Sequence, residues 1–419
     1  MLPINRSLIL TFLTAAGLTA MFFGHASAQR GEENAAAAAA QAAMVRGGEE
    51  LQRARQGFTT NNERPLAQPF VGITSHGQVE PGLFPIKASG VTTEPVRKAV
   101  VAWLASLTAE QKKRATYPVD DIEWRKWANQ DLYIRQGVSF LEMNDRQREL
   151  AFDVLRAGLS AKGFKRTRDI MHLNQTLGEL TDNPERFGEW NYYMTVMGEP
   201  SAKDPWGWQF DGHHCVVNYF ILGDQVVMTP MFAGSEPVIA RAGKYQGTIV
   251  LQDEQNQGLA LVNALPEALQ KQAILSGEKT KAMSLAEAFH DNVDLNYEGV
   301  KAADLPAPLK KQLLDLIALH VSAEDAGHAR VKMEEVAKYI DRTTFAWIGQ
   351  HEKESVFYYR IQSPVILIEF DHQPPFALRR PGGPTDPQHD HIHVVIRTPN
   401  GNDYGKDLLR QHYAQSHAS

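Results

Sequence analysis

The chain has one cysteine, Cys215, among its 419 residues, so no disulfide can form within it. Cys215 sits in an apolar, strand-like run, which reads as a packed, inert thiol and not as a nucleophile. Beyond residue 28 no stretch is long and apolar enough to span a bilayer. An excess of positive charge is missing too. Lys and Arg number 43 against 49 Asp and Glu, a formal net charge of −6, which leaves no electrostatic footprint for nucleic acid. The patterns GxGxxG, P-loop, GxSxG and HExxH are all absent. That removes the common signatures of nucleotide binding, of the α/β-hydrolase elbow and of zincin proteases.

The chain opens on an export signal. Arg6, an apolar run from Leu8 to Phe23 and the small-x-small triplet Ala26-Ser27-Ala28 form a secretory signal with its cleavage site. Residues 1–28 are therefore expected to be removed, leaving a periplasmic or secreted protein that starts at Gln29. No cysteine follows the run, which excludes a bacterial lipoprotein anchor. Residues 29–65 are alanine-rich and offer too little apolar surface to bury, so they read as a disordered or loosely helical tether. From there the composition is globular, and residues 66–419 are expected to form one large domain.

Helical and strand patterns alternate in blocks along that domain. Pro95, Val96, Val100, Val101, Leu104 and Leu107 carry the spacing of an amphipathic helix, and Arg146 to Leu159 repeats it. A weak echo links "LTAEQKKRA", "MNDRQRELA" and "LPEALQKQA", each opening like a capped helix. Lys162, Lys165, Arg166 and Arg168 read as cations in a solvated turn after a helix. "HHCVVNYFILGDQVVMTPMF" reads as two strands joined at Gly223-Asp224. "YYRIQSPVILIEFDHQ" and "HIHVVIRT" are two further β blocks, and Lys301 to His320 and Ala323 to Tyr339 return to helix. This order predicts an α+β fold, an antiparallel or mixed sheet flanked by helices.

The residues that carry chemistry lie in the strand blocks. Side chains two apart on a strand share a face, so His391 and His393 point together, with Val395 and Arg397 continuing that face. Glu369 and Asp371 share a face on the preceding strand. If the two strands pair across the Pro- and Gly-rich connection from His372 to Asp390, a carboxylate lies opposite two imidazoles. Two histidines and a carboxylate suit a divalent, zinc-like metal with open positions. Gly212-His213-His214 enters a strand behind Trp206 and Trp208. Adjacent strand residues face opposite sides, so one of His213 and His214 is expected as a ligand. The competing reading is four histidines satisfied structurally by carboxylates or carbonyls. Arg360 and Arg397 stand among apolar strand residues, and a buried guanidinium needs an acidic partner or an anionic ligand. Trp124, Trp127, Trp347, Tyr358 and Tyr359 read as core.

Taken in order, "WGWQFDGHH", "GDQVVMTPMFAGSEP", "TFAWIG", "YYRIQSPVILIEFD", "HIHVVIR" and "NDYGKDLLRQHY" resemble a domain-of-unknown-function family, number 3500, of often exported bacterial proteins. The resemblance runs from about Trp103 to Tyr413. It implies one family domain with the two histidine segments as its signatures, and it brings no established activity. The expectation from the residues is an exported, metal-assisted hydrolase of a small-molecule or anionic substrate. His391, His393 and one of His213 and His214 are the ligands, Glu369 is a fourth ligand or general base, and Arg360 or Arg397 holds an anionic group. No organic cofactor is signalled. The alternative is a non-catalytic envelope protein that binds a ligand and uses its histidines structurally.

Overall fold

The computed structural model describes residues 48–416, so the expected signal peptide and the first part of the expected tether lie outside the described residues. Residues 48–62 form a helix, α1. Helices α2 (Glu94–Ser106), α3 (Ala109–Ala115), α4 (Asp145–Gly158), α5 (Ala161–Thr181), α6 (Gln252–Ala264), α7 (Glu267–Ala273), α8 (Ala307–Val321), α9 (Ala326–Lys338) and α10 (Lys406–Ser416) follow along the chain. The strands are β1 (Thr116–Tyr117), β2 (Val138–Ser139), β3 (Tyr192–Met197), β4 (Trp206–Gly212), β5 (Cys215–Leu222), β6 (Gln225–Val227), β7 (Met231–Ser235), β8 (Ile274–Ser276), β9 (Val300–Lys301), β10 (Thr344–Gly349), β11 (Phe357–Gln362), β12 (Leu367–His372) and β13 (Ile392–Arg397). They make one mixed sheet of 13 strands, ten of them in the order β1-β3-β4-β5-β7-β13-β12-β11-β10-β8, with β2 paired to β3, β6 to β5 and β9 to β10. The fold is α+β. Among the described residues no helix is long and apolar enough to cross a membrane.

Local chemistry explains the helix starts. Thr108 and Asn144 open α3 and α4 with complete capping boxes, closed by Gln111 and Gln147. The two boxes are joined, since Gln147 Nε2 donates to Gln111 Oε1 at 2.8 Å. The third echo has no side-chain cap and starts from Pro266. The basic run is not a turn after a helix. Ser160 caps α5 there, so the cations occupy its first turns, where Arg166 pairs with buried Glu254 at 3.2 Å and Lys165 with Asp169 at 2.5 Å.

The two faces of the sheet differ in kind. One carries Trp208 and Tyr219 stacked at 5.0 Å, Tyr192 and Phe210 at 5.2 Å, and Tyr359 and Phe370 at 5.0 Å. Helices α4, α5, α6 and α8 cover this face; Gly158 of α4 lies against Trp208, and Gly258 of α6 against Tyr359. Truncating one such ring costs about 3–5 kcal/mol. Cys215 belongs to this face and is 1% exposed.

The opposite face is polar, carrying Gln209, Asp211, Asn218, Arg360, Glu369, Asp371, His393 and Arg397, all buried. Irregular chain covers it, chiefly residues 277–299, which hold only an isolated bridge from Asp294 to Thr74. Buried irregular backbone must find hydrogen-bond partners outside any ladder, and the sheet supplies them. Backbone N–H groups of Leu285 and Ala286 donate to Glu369, and those of Met283 and Ser284 to Asp371. Gln362 donates to the Leu295 carbonyl at 2.7 Å. The polar residues of β11, β12 and β13 thus hold this segment in place of a second helical layer.

Candidate metal centre

Three imidazoles meet at the edge of the polar face. The Nε2 atoms of His391 and His393 are 3.1 Å apart, and each is 3.3 Å from His214 Nε2. All three residues are buried, at 6–7% exposure. Four-coordinate zinc with nitrogens at about 2.0–2.1 Å has N···N edges of about 3.3–3.4 Å. The triangle is that size to within a few tenths of an ångström. Among the described residues, these three are the group of histidine, cysteine and carboxylate side chains whose donor atoms converge closely enough for one ion.

The outer nitrogens fix the tautomers. His391 Nδ1 is 2.7 Å from the Pro374 carbonyl, which can only accept. His393 Nδ1 is 2.8 Å from Glu287 Oε1. Burial opposes ionisation of Glu287, yet His393 beside it and the donors Ser284 and Asn129 hold its carboxyl below the usual range, so it too accepts. Both Nδ1 atoms therefore carry the hydrogen, and both Nε2 lone pairs point into the triangle. Two lone pairs 3.1 Å apart repel unless a cation lies between them. A proton on His391 or His214 is disfavoured, because burial and the neighbouring imidazoles push both well below the ordinary histidine range. Neutral imidazole is also the form that binds metal.

Backbone geometry places the third ring. His213 and His214 do not enter a strand; they are the two-residue turn between β4 and β5, with Gly212 paired to Cys215. His214 is left-handed, at φ +62°, which costs a non-glycine residue about 1–2 kcal/mol. Its N–H donates to the Asn129 carbonyl and its carbonyl accepts from Gly234 N–H, so the strained turn is held on both sides. Gly234 sits opposite His393 in the β7–β13 ladder. A Cβ there would lie 2.8 Å from the Ile392 carbonyl oxygen and 3.1 Å from His214 Cδ2. The missing side chain is the space in which the His214 ring lies.

Of the residues singled out from sequence, His214, His391 and His393 come together. His213 does not join them. Its Nδ1 is 2.8 Å from Asn174 Oδ1 and its ring stacks on His214 at 3.9 Å, so it props the His214 ring instead of joining the triangle. Glu369 is also placed elsewhere, with its oxygens taken by Leu285, Ala286 and the Tyr358 hydroxyl at 2.6 Å. Arg360 pairs with Glu298 at 2.5 Å. Arg397 is bound by Asp403 at 2.7 Å, Asp291 at 2.8 Å and the Ala286 carbonyl. Neither arginine is left to hold a substrate anion.

The carboxylates at the centre are two that sequence reasoning missed. Glu287 comes from the irregular segment. Glu236, just after β7, has Oε2 3.9 Å from His391 Nδ1. Glu236 also accepts the backbone N–H groups of Phe376, Ala377 and Leu378, so it ties the β12–β13 excursion beside His391. Neither stands in a periodic pattern, and the short string "SEP" next to β7 is the sole local signal for Glu236.

Fold and site together define an α+β protein in which the ends of the central strands β4, β5 and β13 present a buried three-histidine centre with carboxylate support. Residues 89–406 match the family described as Protein of unknown function (DUF3500), and the chain belongs to that family. No curated protein and no solved structure matches it.

Proposed function

We propose that His214, His391 and His393 hold one zinc-like divalent ion and that the protein is a metal-assisted hydrolase of a small molecule, exported to the periplasm or beyond. The observation that carries this is the Nε2 triangle with two outer nitrogens pinned as donors. Three neutral histidines leave a fourth position for water, whose pKa such an ion lowers to about 7. The chain's part is orientation and charge balance. Glu287 fixes the His393 ring and raises its basicity, the Pro374 carbonyl does the same for His391, and Glu287 with Glu236 places negative charge beside a dication. With Arg360 and Arg397 committed to internal carboxylates, substrate selection rests on other groups around the centre.

The test uses the mature protein recovered from its exporting host. N-terminal sequencing should begin at Gln29, and elemental analysis should give one transition-metal equivalent per chain. Hydrolysis of 4-nitrophenyl acetate should fall on chelation and return with zinc. One bound metal without hydrolysis of any ester or amide offered would leave the centre and remove the hydrolase. A metal-free wild type that binds no added zinc would leave the ligand-binding reading with structural histidines.

A further inference from the structure

A cavity of about 110 Å³ lies on the helix-covered side of the sheet, between β7, β13, α8 and α9. Met231 and Ile396 form its floor, and they pair across the β7–β13 ladder, on the face opposite His393. Phe84 and Val331 add apolar wall, and the exposed Lys87 is part of the lining, so the cavity reaches solvent there. An engineered apolar cavity of about 150 Å³ holds benzene, so this one is of the order of a single small ring.

Polar side chains share its lining, and two of their buried atoms, His320 Nδ1 and Glu335 Oε1, have no hydrogen-bond partner among the described residues. His320 is fully buried and lines the cavity. The Tyr359 hydroxyl donates to the Glu254 carbonyl at 3.0 Å, so its oxygen accepts from His320 Nε2 at 2.8 Å. The hydrogen is then on Nε2, and Nδ1 keeps a lone pair. That Nδ1 has no hydrogen-bond partner among the described residues, although a buried acceptor is normally paired. Apart from Lys87 at the solvent-exposed mouth, the remaining charges are paired. Lys332 lies 3.4 Å from Glu335, and His328 lies 2.5 Å from Asp325. Burial pushes Glu324 up to about 8, so it is uncharged at neutral pH. Below the mouth, where the exposed Lys87 stands, a ligand carrying net charge would find no free counter-charge.

We propose that this cavity is a second binding site, for an uncharged and mostly apolar molecule of about one ring's size whose hydroxyl donates to His320 Nδ1. It is separate from the histidine centre, which lies across the sheet, and it does not depend on the metal.

Phenol, benzene and benzoate share a ring and differ in the group the site reads. Titrated against the mature protein by calorimetry, phenol should bind at least tenfold more tightly than benzene, and benzoate more weakly than either. Phenol binding should be unchanged by chelator. His320→Phe should remove the preference for phenol over benzene. Val331→Trp, at a half-buried position, should fill the cavity and abolish binding of both, and it keeps the test decisive should the His320 variant fail to fold. Equal affinity for phenol and benzene, binding that survives Val331→Trp, loss of phenol binding on chelation, or no saturable binding of phenol would each overturn the proposal.

Discussion

Gly234→Ala is the sharpest probe of how the centre is built, because it changes no ligand. The added methyl would meet the Ile392 carbonyl oxygen at 2.8 Å, Phe232 Cε1 at 3.0 Å and His214 Cδ2 at 3.1 Å. Carbon contacts settle near 3.5 Å, so relief requires movements of about 0.4–0.7 Å. The carbonyl belongs to β13 and is held in the ladder, whereas the His214 ring is held by stacking on His213 and by its own turn. The ring therefore yields at its own 3.1 Å contact, while the contact with the carbonyl strains the ladder. Such a shift moves His214 Nε2 away from the 3.3 Å spacing that it keeps with both His391 and His393. Overpacking should cost about 1–3 kcal/mol of stability, and mis-set ligation should weaken metal binding about 10–100-fold, as loss of a supporting contact does. Competition against a chromophoric chelator measures the affinity, and melting with and without zinc separates the two effects. Wild-type zinc affinity in a folded Gly234→Ala protein would refute the reasoning, as would a stability loss of equal size in both conditions.

His393→Ala should lower metal stoichiometry and thermal stability together, with the stability difference vanishing in chelator; equal melting shifts in both conditions would mark a structural histidine. Glu287→Gln should retain the fold and weaken zinc binding about tenfold by removing the carboxylate behind His393, read by the same chelator competition. Burial pushes the Cys215 thiol up to about 12, so a thiol reagent at pH 8 should label native protein far more slowly than denatured protein. Glu324 is raised from 4.5 to about 8: the unfolded chain ionises from pH 4.5 upward while the folded carboxyl stays protonated. Its contribution is full below pH 4.5 and is lost as pH rises to about 8. Glu324→Gln should accordingly gain stability over wild type between pH 5 and pH 8, by an amount on the order of 4 kcal/mol in denaturant melts, and a pH-independent difference would contradict the buried, protonated carboxyl.

Much of the frame was legible in residue order. Alternation in "HIHVVIR" put His391 and His393 on one face, and the same rule paired Glu369 with Asp371; β12 and β13 do pair, with Asp371 opposite His393. The turn at Gly223-Asp224, the capped starts of α3 and α4, the packed thiol and the α+β class were all visible, because each depends on neighbours within a few residues. The third histidine was not assignable. Strand alternation separates His213 from His214 without saying which faces the site, and the answer came from a left-handed turn that no periodicity encodes.

The carboxylates divide along the same line. From sequence alone, Glu369, Arg360 and Arg397 could be recognised as polar groups on a sheet face, and that property is real. What covers the face is a long-range matter. Residues 277–299 fold back over the sheet, use Glu369, Arg360 and Arg397 to satisfy their own buried backbone and carboxylates, and deliver Glu287 to His393 from 106 positions away. Periodicity determines which way a side chain points, because backbone geometry alone sets it. Which partner meets that side chain is set by the packing of distant segments, and only the tertiary structure decides it.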